Sequence, residues 1–278
     1  MIALLAGAAM AVETSGPPEL PREFRGAWIA TVANIDWPSK PGLGAESQKK
    51  ELDALLHRLA GLKFNAVVLQ VRTSADALYR SDLEPSSWFL TGAQGGDLEW
   101  DPLARAVDVG HRLGLEVHAW FNPFRAGHPS QKGDYSADHL SVTRPDWVKR
   151  YGKYLWCDPG VPEVRRHALA VMTDVVKRYD IDGVHIDDYF YPYPEGGAPF
   201  PDGPSYGAYV EAGGTLRRSD WRRQNVDGFV RSLYGSVKSA KPWVKVGISP
   251  FGIYRPNVPV GIEAGIDQYE ELLSLIHI

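Results

Sequence analysis

Apolar positions along this chain alternate between two spacings, every second residue and every third or fourth, and that alternation predicts the fold. A first strand is predicted over Phe24 to Val32. The helix after it covers 46–62, with Leu52, Leu55, Leu56, Leu59 and Leu62 at helical spacing. A second strand follows over Asn65 to Arg72. Its helix begins at Asp101-Pro102, an N-cap with proline at the first helical position, and ends near Leu113 before Gly114. The third strand spans Leu115 to Asn122. Its helix starts at Pro162 and carries Val164, Ala168, Val171 and Val175 on one face. A fourth strand over Gly183 to Tyr189 precedes a helix from Asp220 to Ser239. A fifth spans Val244 to Pro250, and a further helix begins near Asp267.

Regular β-α alternation implies a parallel sheet with helices outside it. The connections are uneven. Segments 73–100, 123–161 and 190–218, which follow strands, are long and rich in Gly, Pro, Trp and Tyr. The turns that precede strands, Gly61-Leu62-Lys63 and Asp180-Ile181-Asp182, are short. A barrel with its site on the C-terminal face has this asymmetry. The predicted fold is therefore α/β, a TIM-type (β/α)8 barrel, read as truncated at the C-terminus after about five βα units. The barrel domain is placed at 22–272 and treated as incomplete, with 273–278 as a non-native tail. An open doubly wound sheet would also hold five strands, but no Gly-rich phosphate loop follows any of them.

Composition narrows the function. A formal net charge of −4 points away from nucleic acid and from anionic membranes. Nine Trp and thirteen Tyr supply rings that fill cores and also stack on the faces of sugars. Cys157 is the single cysteine, so there is no internal disulfide and no Cys-based metal site. Residues 1–11 are apolar and end in Ala9-Met10-Ala11, the small-x-small pattern of a cleavage site. They are read as a signal-peptide remnant, with 12–21 as a linker. The run is too short to span a bilayer. The expected location is thus secreted, periplasmic or otherwise in the bacterial cell envelope, without stable membrane insertion.

Alternation within the strands also sorts side chains between helices and lumen. Val184 and Ile186 face the helices, which turns His185 and Asp187 inward. Val117, Ala119 and Phe121 face out, leaving His118, Trp120 and Asn122 inside. Val67, Leu69 and Val71 leave Gln70 and Arg72 inside. Val244, Val246 and Ile248 leave Gly247 and Ser249, and Ala27 and Ile29 leave Trp28. A lumen built only for packing would hold Val, Ile and Leu. Polar groups converging there are costly unless they bond one another or serve a site.

Acetal cleavage needs a carboxylic acid and a second carboxylate across the anomeric carbon. Asp187, inward at a strand end and expected to be kept ionised by Arg72, suits a nucleophile or an electrostatic stabiliser. Asp188 is the acid, an orienting group or a rim residue. The partner carboxylate is Asp36, Glu195 or Glu263, or lies on a strand beyond the fifth. Gln70, Asn122, Arg125 and His185 have donors and acceptors for sugar hydroxyls. Trp28, Trp37, Trp120, Tyr189 and Tyr191 are candidate stacking platforms. Two other readings stay open. One is a carbohydrate-binding barrel without catalysis. The other is a metal-dependent polysaccharide deacetylase using His118, His185, Asp187 and Asp188, although no His-x-His or His-Glu-x-x-His spacing supports a metal. The leading reading calls for no cofactor.

These same residues resemble the bacterial glycosyl hydrolase-like 10 family. The matching segments are Phe24 to Val32 with Asn34-Ile35-Asp36-Trp37-Pro38, then Gln70-Val71-Arg72, then His118 to Arg125. They continue through Asp158 to Arg165, Asp182 to Pro192, and Gly247 to Gly252, so the resemblance covers about residues 22–272. It implies a TIM-type barrel and a secreted or envelope-associated glycosidase. It further implies peptidoglycan glycan strands, stripped of peptides, as substrate.

Overall fold

The computed structural model describes residues 23–252, 255–258 and 260–261. The signal-peptide remnant (1–11), the linker (12–21), the helix near Asp267, Glu263 and the tail 273–278 all lie outside the described residues.

In chain order the elements are β1 (Gly26–Ile29), a 3-10 turn (Val32–Asn34), α1 (Ala45–Gly61), β2 (Ala66–Arg72), α2 (Trp88–Thr91) and α3 (Pro102–Arg112). Then come β3 (Glu116–Phe121), β4 (Arg125–Gly127), α4 (Leu140–Thr143), β5 (Val148–Tyr151), β6 (Tyr154–Cys157) and α5 (Pro162–Arg178). The last are β7 (Gly183–Ile186), α6 (Gly203–Glu211), α7 (Arg218–Ala240) and β8 (Lys245–Ile248). All five expected strands are present, each shorter at one or both ends than the apolar pattern suggested. Asp101 caps α3 as its sequence indicates, accepting from the Ala104 amide at 3.1 Å ahead of Pro102.

Five strands form one sheet in the order β1-β2-β3-β7-β8, with every pairing parallel. Among the described residues β1 and β8 are its edges. The outward faces of β2, β3 and β7 supply Val67, Leu69, Val117, Ala119, Val184 and Ile186 to the core. Leu52 and Leu56 of α1, Leu103 and Ala106 of α3, and Val164, Ala168 and Val175 of α5 cover them, with Phe229 and Leu233 of α7. Those helical positions recur at intervals of three and four, which is why the helices bury one stripe.

Register stacks the inward residues in layers. Trp28, Val68, His118, Gly183 and Lys245 lie level, and above them Gln70, Trp120, His185 and Gly247. Each layer pairs a histidine with a glycine on the next strand. A Cβ on Gly183 would collide with the His118 ring, and one on Gly247 would sit 2.9 Å from His185 Nδ1. Gly183→Ala should therefore cost about 1–3 kcal/mol in urea unfolding, because neither strand can move away. A cost near zero would mean that the His118 ring is free to turn aside.

The long loops contain structure that alternation did not predict. Segment 123–161 folds as an antiparallel sheet in the order β4-β6-β5. α2 and α6 lie in the other two long loops.

Candidate active site

Asp187 is the first residue after β7, and only 4% of its surface is exposed. Its Oδ2 accepts from Trp120 Nε1 at 3.0 Å and from the Asn122 side-chain amide. Its Oδ1 accepts from the Tyr189 backbone amide at 3.2 Å. Burial pushes the carboxyl up to about 6, against the Arg125 charge and the hydrogen bonds from Tyr189 and Asn122, with Asp188 adding to the rise. The group thus exchanges its proton close to neutrality, as acid–base and nucleophilic chemistry requires.

Two of the donors come from the end of β3 and the third from the loop that carries Asp187 itself. Trp120 lies in β3 and Asn122 just beyond its end. The Asn122 Oδ1 accepts from Gln70 Nε2 and from Arg125, both at 2.6 Å, so its Nδ2 is left for Asp187. Arg125 opens β4, donates to the Thr73 carbonyl at 2.8 Å, and lies 5.5 Å from the centre of the Tyr189 ring. The small antiparallel sheet therefore carries the buried cation that faces Asp187. Tyr189 also meets Tyr193 at 5.2 Å and Trp156 at 6.3 Å between ring centres. Asp188 is half-buried and accepts from the Tyr193 hydroxyl.

Lower in the lumen Trp28 is 48% exposed, with its ring 5.0 Å from both Trp120 and His185. It lines a cavity of about 450 Å³ with His118, His185 and Ser249. Burial, with the neighbouring His118 second, drives His185 down to about 4, and its Nε2 has no partner. A neutral imidazole with a free nitrogen suits a hydroxyl group. By linkage, His185 binds more protons unfolded than folded between pH 4 and 6.5. Its contribution to stability is therefore complete above 6.5 and falls as pH drops towards 4. NMR titration of the His185 ring should show the neutral form still dominant at pH 5.5.

Several expectations need correction. Arg72 does not serve Asp187. The β2–β3 register shifts between Gln70 and Arg72, so Arg72 lies level with outward-facing Phe121 rather than with the lumen. There it meets Glu84 at 2.5 Å, and His167 of α5 reaches the same carboxylate at 2.9 Å. Burial outweighs the Arg125 charge at Asp187 and raises its carboxyl rather than lowering it. Gln70 is wholly buried, its Oε1 accepting from the Thr31 and Val32 amides at 2.9 Å each, so it cannot reach a sugar. Trp37 is no platform. It is fully buried against Trp100, 6.1 Å away, and donates to the Gln48 carbonyl. Tyr191 is likewise interior, beside Phe200 and Arg222. Asp36 accepts from the Ala30 amide at 2.7 Å and ties down the turn after β1. Glu195 accepts from the Lys153 amide at 3.1 Å, in the hairpin between β5 and β6.

Sequence reasoning missed Glu84, His167, Trp156 and Tyr193. Only Tyr193 carried a signal, two residues beyond Tyr191 in an aromatic run after the Asp pair. Among the described residues no group of three or more His, Cys, Asp and Glu side chains is placed to hold a metal ion. His118 spends its Nε2 on Glu116 at 3.0 Å.

Comparison with known proteins bears on both fold and chemistry. A family model described as glycosyl hydrolase-like 10 matches residues 23–274. The chain is 45% identical over 259 residues to "Glycosyl hydrolase YngK" of Bacillus subtilis (strain 168), covering 91% of this chain and 50% of that protein. It is 34% identical over 267 residues to "Glycosyl hydrolase DigH" of Escherichia coli (strain K12), covering 89% and 60%. The chain thus spans about half of the first of these curated relatives and three fifths of the second. Among solved structures, "Alpha-L-fucosidase isoenzyme 2 from Paenibacillus thiaminolyticus" superposes with a TM-score of 0.56 at 13% identity, over 86% of this chain and 34% of that one. At that identity the likeness speaks for the fold alone, and the five parallel strands with their intervening helices are of the TIM-barrel type.

Proposed function

The chain belongs to the glycosyl hydrolase-like 10 family, and from that premise we propose that it is a glycosidase cleaving O-glycosidic bonds in a bacterial polysaccharide. The observation that carries this reading is Asp187, a buried strand-end carboxylate held by three donors and titrating near pH 6. Above that pH it is an anion beneath the point where positive charge builds on the anomeric carbon, and there it acts as nucleophile or stabiliser. In this reading Asp188, whose carboxylate accepts from the Tyr193 hydroxyl, is the candidate second carboxylate. Tyr189 and Trp28, each partly exposed, offer faces on which a sugar ring can stack.

The substrate in this reading is the glycan strand of peptidoglycan, and the location is the cell envelope or beyond it. The apolar run at 1–11 and the bacterial relatives support that assignment. A direct test incubates the intact protein with purified glycan strands, with and without a metal chelator. New reducing ends, one for each bond cut and each cut consuming one water, are expected in both arms. Release of acetate that the chelator stops would replace this reading with a deacetylase. Retention of the strands without any new ends would leave only a binding barrel.

A further inference from the structure

We propose that Gln70 is a positioning residue that sets both the aim and the proton affinity of Asp187, acting through Asn122. This rests on the reading of Asp187 as the reacting carboxylate. The connection is a directed chain of hydrogen bonds across four strands. The Thr31 and Val32 amides, just past β1, both donate to Gln70 Oε1 at 2.9 Å. With its oxygen committed, the β2 amide of Gln70 can only present its nitrogen onward, and Nε2 donates to Asn122 Oδ1 at 2.6 Å. Arg125 adds a second donor to the same oxygen. Asn122 is therefore locked with Nδ2 facing Asp187, just past β7. Backbone amides near β1 thus decide which end of Asn122 the carboxylate sees.

The direction of the chain matters. An amide whose oxygen is engaged by two donors has a more acidic N–H, and such chains strengthen cooperatively. An N–H aimed at Asp187 favours the ionised form. A reversed Asn122 would aim an oxygen instead and favour the protonated form. Gln70 and Asn122 are both wholly buried, so water cannot take over a lost donor without a rearrangement. The Thr31 side chain reinforces the register, its hydroxyl donating to the Gln70 backbone carbonyl at 2.9 Å.

Other charged or titratable groups also face Asp187. Arg125 lies across from it on β4, and Asp188 and Tyr189 follow it on the same loop. Tyr193 acts through Asp188, and His185 sits one layer below on β7. None of these is hydrogen-bonded to Gln70, and the hydrogen-bonded route from Gln70 to Asp187 runs through Asn122.

The test is the Asp187 titration itself, followed by carbon-detected NMR of the side-chain carboxyl, which needs no turnover. Gln70→Glu keeps the shape but removes the donor and adds a negative charge. The midpoint should rise by about one pH unit or more. Gln70→Leu, which adds no charge, should raise it by a smaller amount, and it serves as the comparison if the first variant does not fold. In the unaltered protein the side-chain amide resonances of Gln70 and Asn122 should move together with the Asp187 midpoint. A folded Gln70 variant with an unmoved midpoint, or amide resonances of Gln70 indifferent to the Asp187 titration, overturns the proposal. Those outcomes are independent of whether glycan strands are cut. Loss of cleavage with an unmoved midpoint would sink the Gln70 role and leave the glycosidase reading intact.

Discussion

Asp187→Asn is expected to abolish cleavage of glycan strands, with turnover falling on the order of 10³-fold or more, while the protein remains folded. The geometry separates these two outcomes. An asparagine oxygen at the Oδ2 position still accepts from Trp120 and Asn122. The new amide nitrogen faces the Tyr189 N–H, so one hydrogen bond is lost, at about 1 kcal/mol. Against that loss stands the cost of the native charge. The folded carboxyl titrates near 6 because burial raises it from an ordinary 3.8. The folded state therefore holds more protons than the unfolded chain between those values, and stability falls as pH climbs through the window. By pH 7 that penalty is on the order of 1–3 kcal/mol, which the neutral asparagine does not carry. The variant should thus melt no lower than the parent at pH 7 and should lose any advantage at pH 4. The parent's kcat/KM should climb through an acid limb near pH 6, as expected for a carboxylate that works ionised. Retention of near-parental turnover would remove Asp187 from the chemistry. A limb that falls through pH 6 would make Asp187 the proton donor instead.

How far the sequence reveals this site depends on how local each constraint is. Alternation within β3 and β7 correctly turned His118, Trp120 and His185 inward, because parallel strands flanked by helices leave no other arrangement. It failed at Arg72, where the shift after Gln70 inserts a residue that the polar–apolar pattern cannot show. It also failed to separate two kinds of inward polar residue. Gln70 and Asn122 are as polar as His185, yet their bonding capacity is consumed within the protein, whereas His185 keeps a free nitrogen. That difference depends on partners from other strands. The β4-β6-β5 sheet was invisible because its strands span three or four residues and bury neither face regularly. It nevertheless supplies Arg125 and backs Tyr189 with Trp156. Trp37 misled for the opposite reason. It sits in a loop rich in turn residues, and only the packing of Trp100 and Gln48 shows it to be core.

Glu84→Ala should produce the largest loss of stability, about 3–5 kcal/mol in urea unfolding. Arg72 and Glu84 have side chains only 1% exposed, and they meet through paired contacts from Nε and Nη2. Burial alone would push Glu84 up. The Arg72 charge and hydrogen bonds from His167 and Arg72 outweigh it and bring the carboxyl down to about 2. Removing Glu84 leaves a guanidinium without its counter-ion where water cannot reach it. Replacing both partners, as in Arg72→Met with Glu84→Leu, should recover most of the loss, since no charge then remains to be paired. The pH dependence has a definite sign. A depressed carboxyl binds fewer protons folded than unfolded, so the pair's contribution is complete above about 4.5 and fades as pH falls towards 2. The double variant should lack that part of the acid sensitivity. The pair also reaches the site, because Arg72 Nη1 donates to the Asn122 backbone carbonyl. Glu84→Ala should therefore cost activity at temperatures where the protein is still folded, whereas a pair that only packs would leave turnover constant up to the melting transition. If Glu84→Ala costs less than about 1 kcal/mol, water must reach Arg72, and the loop over 73–100 must open far more readily than its packing implies.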